Sequence, residues 1–183
     1  MNAKETRIKG LFEIQAKLFP DQRGYFSETF NKNDFEKLIP GVNFIQDNES
    51  KSSFGVLRGL HLQKAPYEQS KLIRVIEGEV LDVVVDLRKN SETFGESFSI
   101  LLNETNKTQL FIPKGFAHGF VVLSQSVIFS YKVDNLYSPE HELGLIWDDD
   151  KLNIDWKINH KDIILSEKDK NLLSLNDYTK IYG

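Results

Sequence analysis

Across residues 8–133 the chain breaks into short segments that alternate apolar and polar side chains, and each segment is closed by a glycine, proline, asparagine or aspartate turn. A period of two, repeated this often with no long amphipathic helix between, leaves few architectures open. Two packed antiparallel sheets or a closed barrel are the solutions that bury one face of every strand. Ile8, Gly10, Phe12, Ile14, Ala16 and Leu18 form the first alternating set, ended by Pro20-Asp21. After the turn Asp21-Gln22-Arg23-Gly24 the alternation resumes over 25–30. Asn31 or Asn33 is placed to cap a short helix that runs to Ile39 and is stopped by Pro40-Gly41. Residues 44–48 read as a short strand entering a polar loop. Further strands are expected over 71–76, 98–102, 109–112, 116–123, 127–133 and 145–147. Residues 80–87 are apolar except for Asp82 and Asp86, and their length and valines mark a central strand. A short terminal helix is expected over 166–175.

With 183 residues and neither linker nor internal repeat, the chain suits one domain over 1–183. A net charge of −4 argues against a general nucleic-acid binder. The chain has no cysteine, which excludes disulfides, thiolate metal sites and a cysteine nucleophile. The first ten residues lack the apolar stretch of a signal peptide, and no apolar run approaches the length that spans a bilayer. A cytoplasmic protein that binds neither membrane nor nucleic acid is the expectation.

Chemistry gathers in Val56-Leu57-Arg58-Gly59-Leu60-His61-Leu62-Gln63, where a cation, an imidazole and an amide sit inside what otherwise reads as a buried strand. A regular strand would send Arg58 and His61 to opposite faces; a bulge at Gly59 would turn both to one cavity. Of the four histidines, His141 and His160 lie in polar loops, whereas His61 and His118 lie in apolar strand contexts. The spacing Pro113-Lys114-Gly115-Phe116-Ala117-His118 resembles the second motif of the cupin superfamily, whose members are jelly-roll barrels. The first cupin motif supplies His-x-His; here the stretch reads His61-Leu62-Gln63, and glutamine is a poor ligand for a transition metal. No metal site is therefore expected.

A longer series of blocks narrows the resemblance. Asp21-Gln22-Arg23-Gly24-Tyr25-Phe26-Ser27-Glu28 is followed by Gln46-Asp47-Asn48-Glu49-Ser50, the segment around His61, Gln69-Ser70-Lys71-Leu72-Ile73-Arg74-Val75 and Asp82-Val83-Val84-Val85-Asp86-Leu87-Arg88. Residues 112–120, Tyr131-Lys132, Trp147-Asp148-Asp149 and Leu165-Ser166-Glu167-Lys168-Asp169 complete it. In this order and spacing the chain resembles the dTDP-4-dehydrorhamnose 3,5-epimerases over residues 10–169. Departures are small: Leu62 stands where the family often has an aromatic, and Asp150 where it often has proline.

The resemblance implies an all-β, cupin-type jelly roll with a few short peripheral helices. It implies an epimerase that needs no cofactor and inverts two carbons beside the 4-keto group of a dTDP-linked 6-deoxyhexose. His61 matches the family's base, Asp169 the carboxylate that orients it, Lys71 the cation beside the enolate oxygen and Tyr131 the proton donor. Read without the resemblance, Ser166-x-x-Asp169 is equally a helix-capping box, and sequence does not separate the two roles. Arg23, Glu28, Gln46, Asp47, Asn48, Arg58, Lys71, His118, Glu142 and Lys168 match substrate-contacting positions. In the family these contacts come from two subunits, so a homodimer is implied. Two alternatives stand beside this reading: a relative that epimerises only C3 or takes another 4-keto sugar nucleotide, and a cupin that binds a ligand without catalysis.

Overall fold

The computed structural model describes residues 1–182. Its strands are β1 (Asn2–Glu5), β2 (Phe12–Gln15), β3 (Leu18–Asp21), β4 (Gly24–Ser27), β5 (Gln46–Ser53), β6 (Leu57–Gln63) and β7 (Lys71–Glu77). They continue as β8 (Glu79–Asp86), β9 (Ser97–Asn103), β10 (Thr108–Ile112), β11 (Phe116–Val122), β12 (Ser126–Val133) and β13 (Glu142–Gly144). Two α-helices accompany them, α1 (Lys32–Leu38) and α2 (Leu175–Tyr182). One sheet runs β1-β2-β10-β7-β12-β5 and the second β13-β6-β11-β8-β9, while β3 and β4 pair only with each other. The strand pairings are antiparallel, and the two larger sheets close over a shared core as a jelly roll.

The core explains the sequence pattern strand by strand. Between the sheets, Ile73 and Val75 meet Val80, Val84, Phe116, Phe120 and Phe129. On the far side of the five-stranded sheet, Leu81, Val83 and Val85 pack under Leu152, Trp156, Leu175 and Tyr178 from the C-terminal segment. Strand β8 is thus covered on both faces, which is why its valines run on without alternation. Outside the six-stranded sheet, Phe35 of α1 and Ile39, which caps its C-terminus, pack against Leu72 and Phe111. The cap of α1 is Asn31, whose side chain accepts from the N–H groups of Asn33 and Asp34.

Several local expectations shift. Strand β1 is exposed along most of its length, so it carries no alternation to read. The first alternating set shortens to β2 because Gly10, at φ +87°, turns the chain between the buried Ile8 and Leu11. Pro20 and Asp21 are themselves the last two residues of a separate strand, β3, an arrangement open to proline where the strand is an edge. Strand β5 continues to Ser53 through residues that read as loop, since Asp47, Glu49, Lys51 and Ser53 point outward. The short strand near 145–147 forms three residues earlier, as β13. Instead of a helix over 166–175 there is a single 3-10 turn at Asp169–Asn171. The chain is then held extended at Leu173, which donates to Gly144 O and accepts from the N–H of Ile146, and α2 starts only at Leu175.

The β3–β4 hairpin stands apart. Phe19, Tyr25 and Phe26 are 48%, 56% and 67% exposed on it, an unusual amount of aromatic surface for strands that pair with nothing else among the described residues.

Candidate active site

The bulge at Gly59 is real and it builds the site. Opposite β11, His118 pairs with His61 and Phe120 with Arg58, so β6 carries one residue more than its partner between these pairs. Gly59 adopts φ +127°, and a Cβ placed there would lie 2.5 Å from Gly119 Cα. Only glycine fits that conformation and that approach. The extra residue flips the alternation, and Arg58 and His61 both line one cavity of about 620 Å³ between the sheets.

Nε2 of His61 lies 2.5 Å from Oδ1 of Asp169. The other carboxylate oxygen accepts from Ser166 Oγ at 2.8 Å, and the Asp169 N–H donates back to Ser166 Oγ at 3.2 Å. The two sequence readings of Ser166-x-x-Asp169 are therefore compatible: the capping contact holds the carboxylate, and the carboxylate holds the imidazole. Burial pushes the pKa of Asp169 up, but the bonds from His61 and Ser166 outweigh it and keep the group below the usual carboxylate range.

A second pair lies deeper. His118, across the ladder from His61, bonds through Nε2 to Asp82 Oδ2 at 2.8 Å. Asp82 is fully buried, and its Oδ1 has no hydrogen-bond partner among the described residues. Burial pushes its pKa up and that of His118 down, each partly opposed by the other. Lys71, at the start of β7, faces this pair from the opposite sheet. Burial lowers its pKa to about 8, while Asp82 and Glu142 work to hold its charge. Tyr131, on β12, lines the same cavity; burial raises its pKa, so the phenol keeps its proton at neutral pH.

Of the remaining expected contacts, Gln46, Asn48, Arg58, His118, Glu142 and Lys168 line the cavity. Arg58 is steadied by Ser52, whose Oγ accepts from its Nε at 3.1 Å. Three expected residues do not reach it. The Asp47 side chain points to the outer face of β5 and pairs with Lys132 at 2.7 Å, because strand alternation puts it opposite Gln46 and Asn48. Arg23 bonds Asp21 at the tip of the β3–β4 hairpin, and Glu28 is exposed just beyond that hairpin. The Asp86-Leu87-Arg88 block is structural: Asp86 accepts from Arg88, Ser91 and Thr93, which against burial draw its pKa to about 2.

Sequence reading missed Asp82, visible only as an interruption in a valine run, and Tyr137, a loop tyrosine with no periodicity to mark it. Tyr137 lines the cavity and donates to Glu142 Oε2 at 2.8 Å, and Glu142 Oε1 accepts from Lys168 at 2.8 Å.

A protein-family model described as dTDP-4-dehydrorhamnose 3,5-epimerase matches residues 5–177. A protein of that name from Escherichia coli is 46% identical over 182 residues, covering 99% of this chain and 98% of its own. The crystal structure of an enzyme of the same name from Elizabethkingia anophelis superposes with a TM-score of 0.93 at 51% identity, covering 97% of each chain. A Legionella pneumophila epimerase, solved in complex with dTDP-4-keto-L-rhamnose, gives 0.91 at 44% identity, covering 96% of this chain and 93% of that one.

Proposed function

The chain belongs to the dTDP-4-dehydrorhamnose 3,5-epimerase family, and on that premise we propose how its pocket inverts C3 and C5 of dTDP-4-dehydro-6-deoxy-D-glucose to give dTDP-4-dehydro-L-rhamnose. One observation carries the assignment. Strands from both sheets bring His61, Lys71 and Tyr131, and the 3-10 turn at Asp169–Asn171 brings Asp169, onto a single cavity from positions as far apart in sequence as 61 and 169.

The 4-keto group acidifies the hydrogens on both flanking carbons, so the reaction needs a base, a cation and an acid but no change of oxidation state. With Nε2 of His61 engaged by Asp169, Nδ1 is the ring nitrogen that takes the proton from carbon. Asp169 stabilises the imidazolium that results. The electron pair moves onto the ketone oxygen, and Lys71 supplies the positive charge that holds the enolate. Tyr131 then returns a proton to the carbon from the opposite face. Both groups exchange with water before the second carbon reacts. Arg58 at the cavity wall suits the diphosphate, since a guanidinium binds two oxygens at once.

We further propose that the protein works as a homodimer of single-domain chains in the cytoplasm. The support is the β3–β4 hairpin, which exposes aromatic rings and carries Arg23 away from this chain's own cavity, as an arm that completes a neighbour's site would. No helix among the described residues is long and apolar enough to cross a membrane.

Turnover of the dTDP-linked substrate, followed by NMR over a series of pH values, tests this reading. Lys71 is a cation below about 8 and loses its charge above it, so kcat is expected to fall as pH rises through that value. Lys71→Arg keeps the charge at every accessible pH, and should move the alkaline limb upward even as its altered shape lowers the maximum. A wild-type profile that stays flat well past that point would remove Lys71 from the role. Absence of turnover would remove the function.

A further inference from the structure

Gln63, which replaces the second histidine of the cupin His-x-His pattern, is buried at 7% exposure and its amide is fully employed. Its Nε2 donates to Tyr67 O at 3.1 Å and to Leu136 O at 3.2 Å. Its Oε1 accepts from the N–H of Ser138 at 2.7 Å. Two of these bonds grip the backbone on either side of Tyr137, and the third ties that loop to the loop carrying Tyr67. Glu142, the cross-strand partner of Gln63, takes the Tyr137 hydroxyl on one carboxylate oxygen and Lys168 on the other. Tyr137, Glu142 and Lys168 all line the cavity. Bonding two carbonyls and one N–H from one buried position takes two donor hydrogens and an acceptor. A glutamine amide offers them; an imidazole, with two ring nitrogens, does not.

We propose that Gln63 is a positioning residue of the epimerase pocket: by clamping the loop on both sides of Tyr137 it fixes where the Tyr137–Glu142–Lys168 chain stands on the cavity wall. The residue acts on substrate capture and not on proton transfer, because His61 takes its orientation from Asp169, on a segment that Gln63 does not touch. The kinetic part of this inference rests on the epimerase reading above.

The test pairs kinetics with amide exchange. Gln63→Leu keeps the bulk of the side chain and deletes the clamp. It is expected to raise KM for the dTDP-linked substrate about tenfold while kcat stays within about threefold of wild type, the signature of lost binding without lost transition-state chemistry. The Ser138 amide, protected in the wild type, should exchange with solvent much faster in the variant. Tyr137→Ala should raise KM on its own, and adding Gln63→Leu to it should raise KM little further, because the clamp then has nothing left to position. Unchanged KM, a fall confined to kcat, or full additivity with Tyr137→Ala would each overturn the proposal. If Gln63→Leu fails to fold, Gln63→Glu keeps the acceptor for Ser138 and replaces the two donor hydrogens with an acceptor oxygen facing two carbonyls; a rise in KM alone is again expected, and an unchanged KM overturns the idea. Should the wild-type protein turn nothing over, the epimerase reading fails by itself, and Ser138 exchange still reports on the clamp.

Discussion

Replacing His61 with alanine is expected to lower kcat by about 10³-fold, within the range that a positioned general base contributes. Among the described residues His61 is the only imidazole that bonds the Asp169–Ser166 cluster, so no neighbour inherits its geometry. His118 lines the same cavity, but its Nε2 is committed to the buried Asp82. The loss should be chemical and not structural. Asp169 would lose one partner and keep Ser166, a cost of about 1–3 kcal/mol for a buried polar group left short of a bond. A domain of ordinary stability, about 5–15 kcal/mol, survives that. Circular dichroism and thermal unfolding separate the two effects: a cooperative transition with turnover gone supports the base role, whereas near-full turnover removes it.

The second large effect is expected at Tyr131. Removing only its hydroxyl, in Tyr131→Phe, leaves the ring against Phe129, with centroids 6.2 Å apart, so packing changes little. Product formation should fall by about 10²-fold for loss of the acid. Proton abstraction, which we assign to His61, should continue. The variant is therefore expected to wash substrate protons into solvent while making little inverted sugar. Product formed at the wild-type rate would contradict the assignment.

How far the sequence led can be judged residue by residue. The valines of β8 and the alternation of β12 were readable because burial on both faces, or on one, writes directly into composition. Strand β5 was half hidden, since its outward residues are polar and its inward ones serve the cavity and not the core. In the site, the rule of strand alternation posed the question at Gly59 without answering it. A bulge is one residue of register, and nothing short of the partner strand reveals it; the contact between Gly59 and Gly119 supplies the answer. Asp169 was legible as a capping residue from local spacing. Its bond to His61 spans over a hundred positions, and only the resemblance pointed there. Asp47 is the converse case, with its side chain paired to Lys132 outside the cavity. A motif carried it into the contact set together with Gln46 and Asn48, although adjacent strand residues face opposite ways. Gln63 was read for what it lacks as a metal ligand; its three backbone bonds became visible only once two distant loops were folded beside it.

The central claim is that one cavity, through an enolate, inverts both carbons that flank the ketone. Incubation of the protein with dTDP-4-keto-6-deoxyglucose in heavy water, with no metal or nicotinamide added, tests it most directly. The account predicts deuterium from solvent at both C3 and C5 of the sugar, together with the L-configured product. Label at C3 alone would make the protein an epimerase of one carbon, and no label at either carbon from the folded protein would contradict the enolate chemistry assigned to His61, Lys71 and Tyr131.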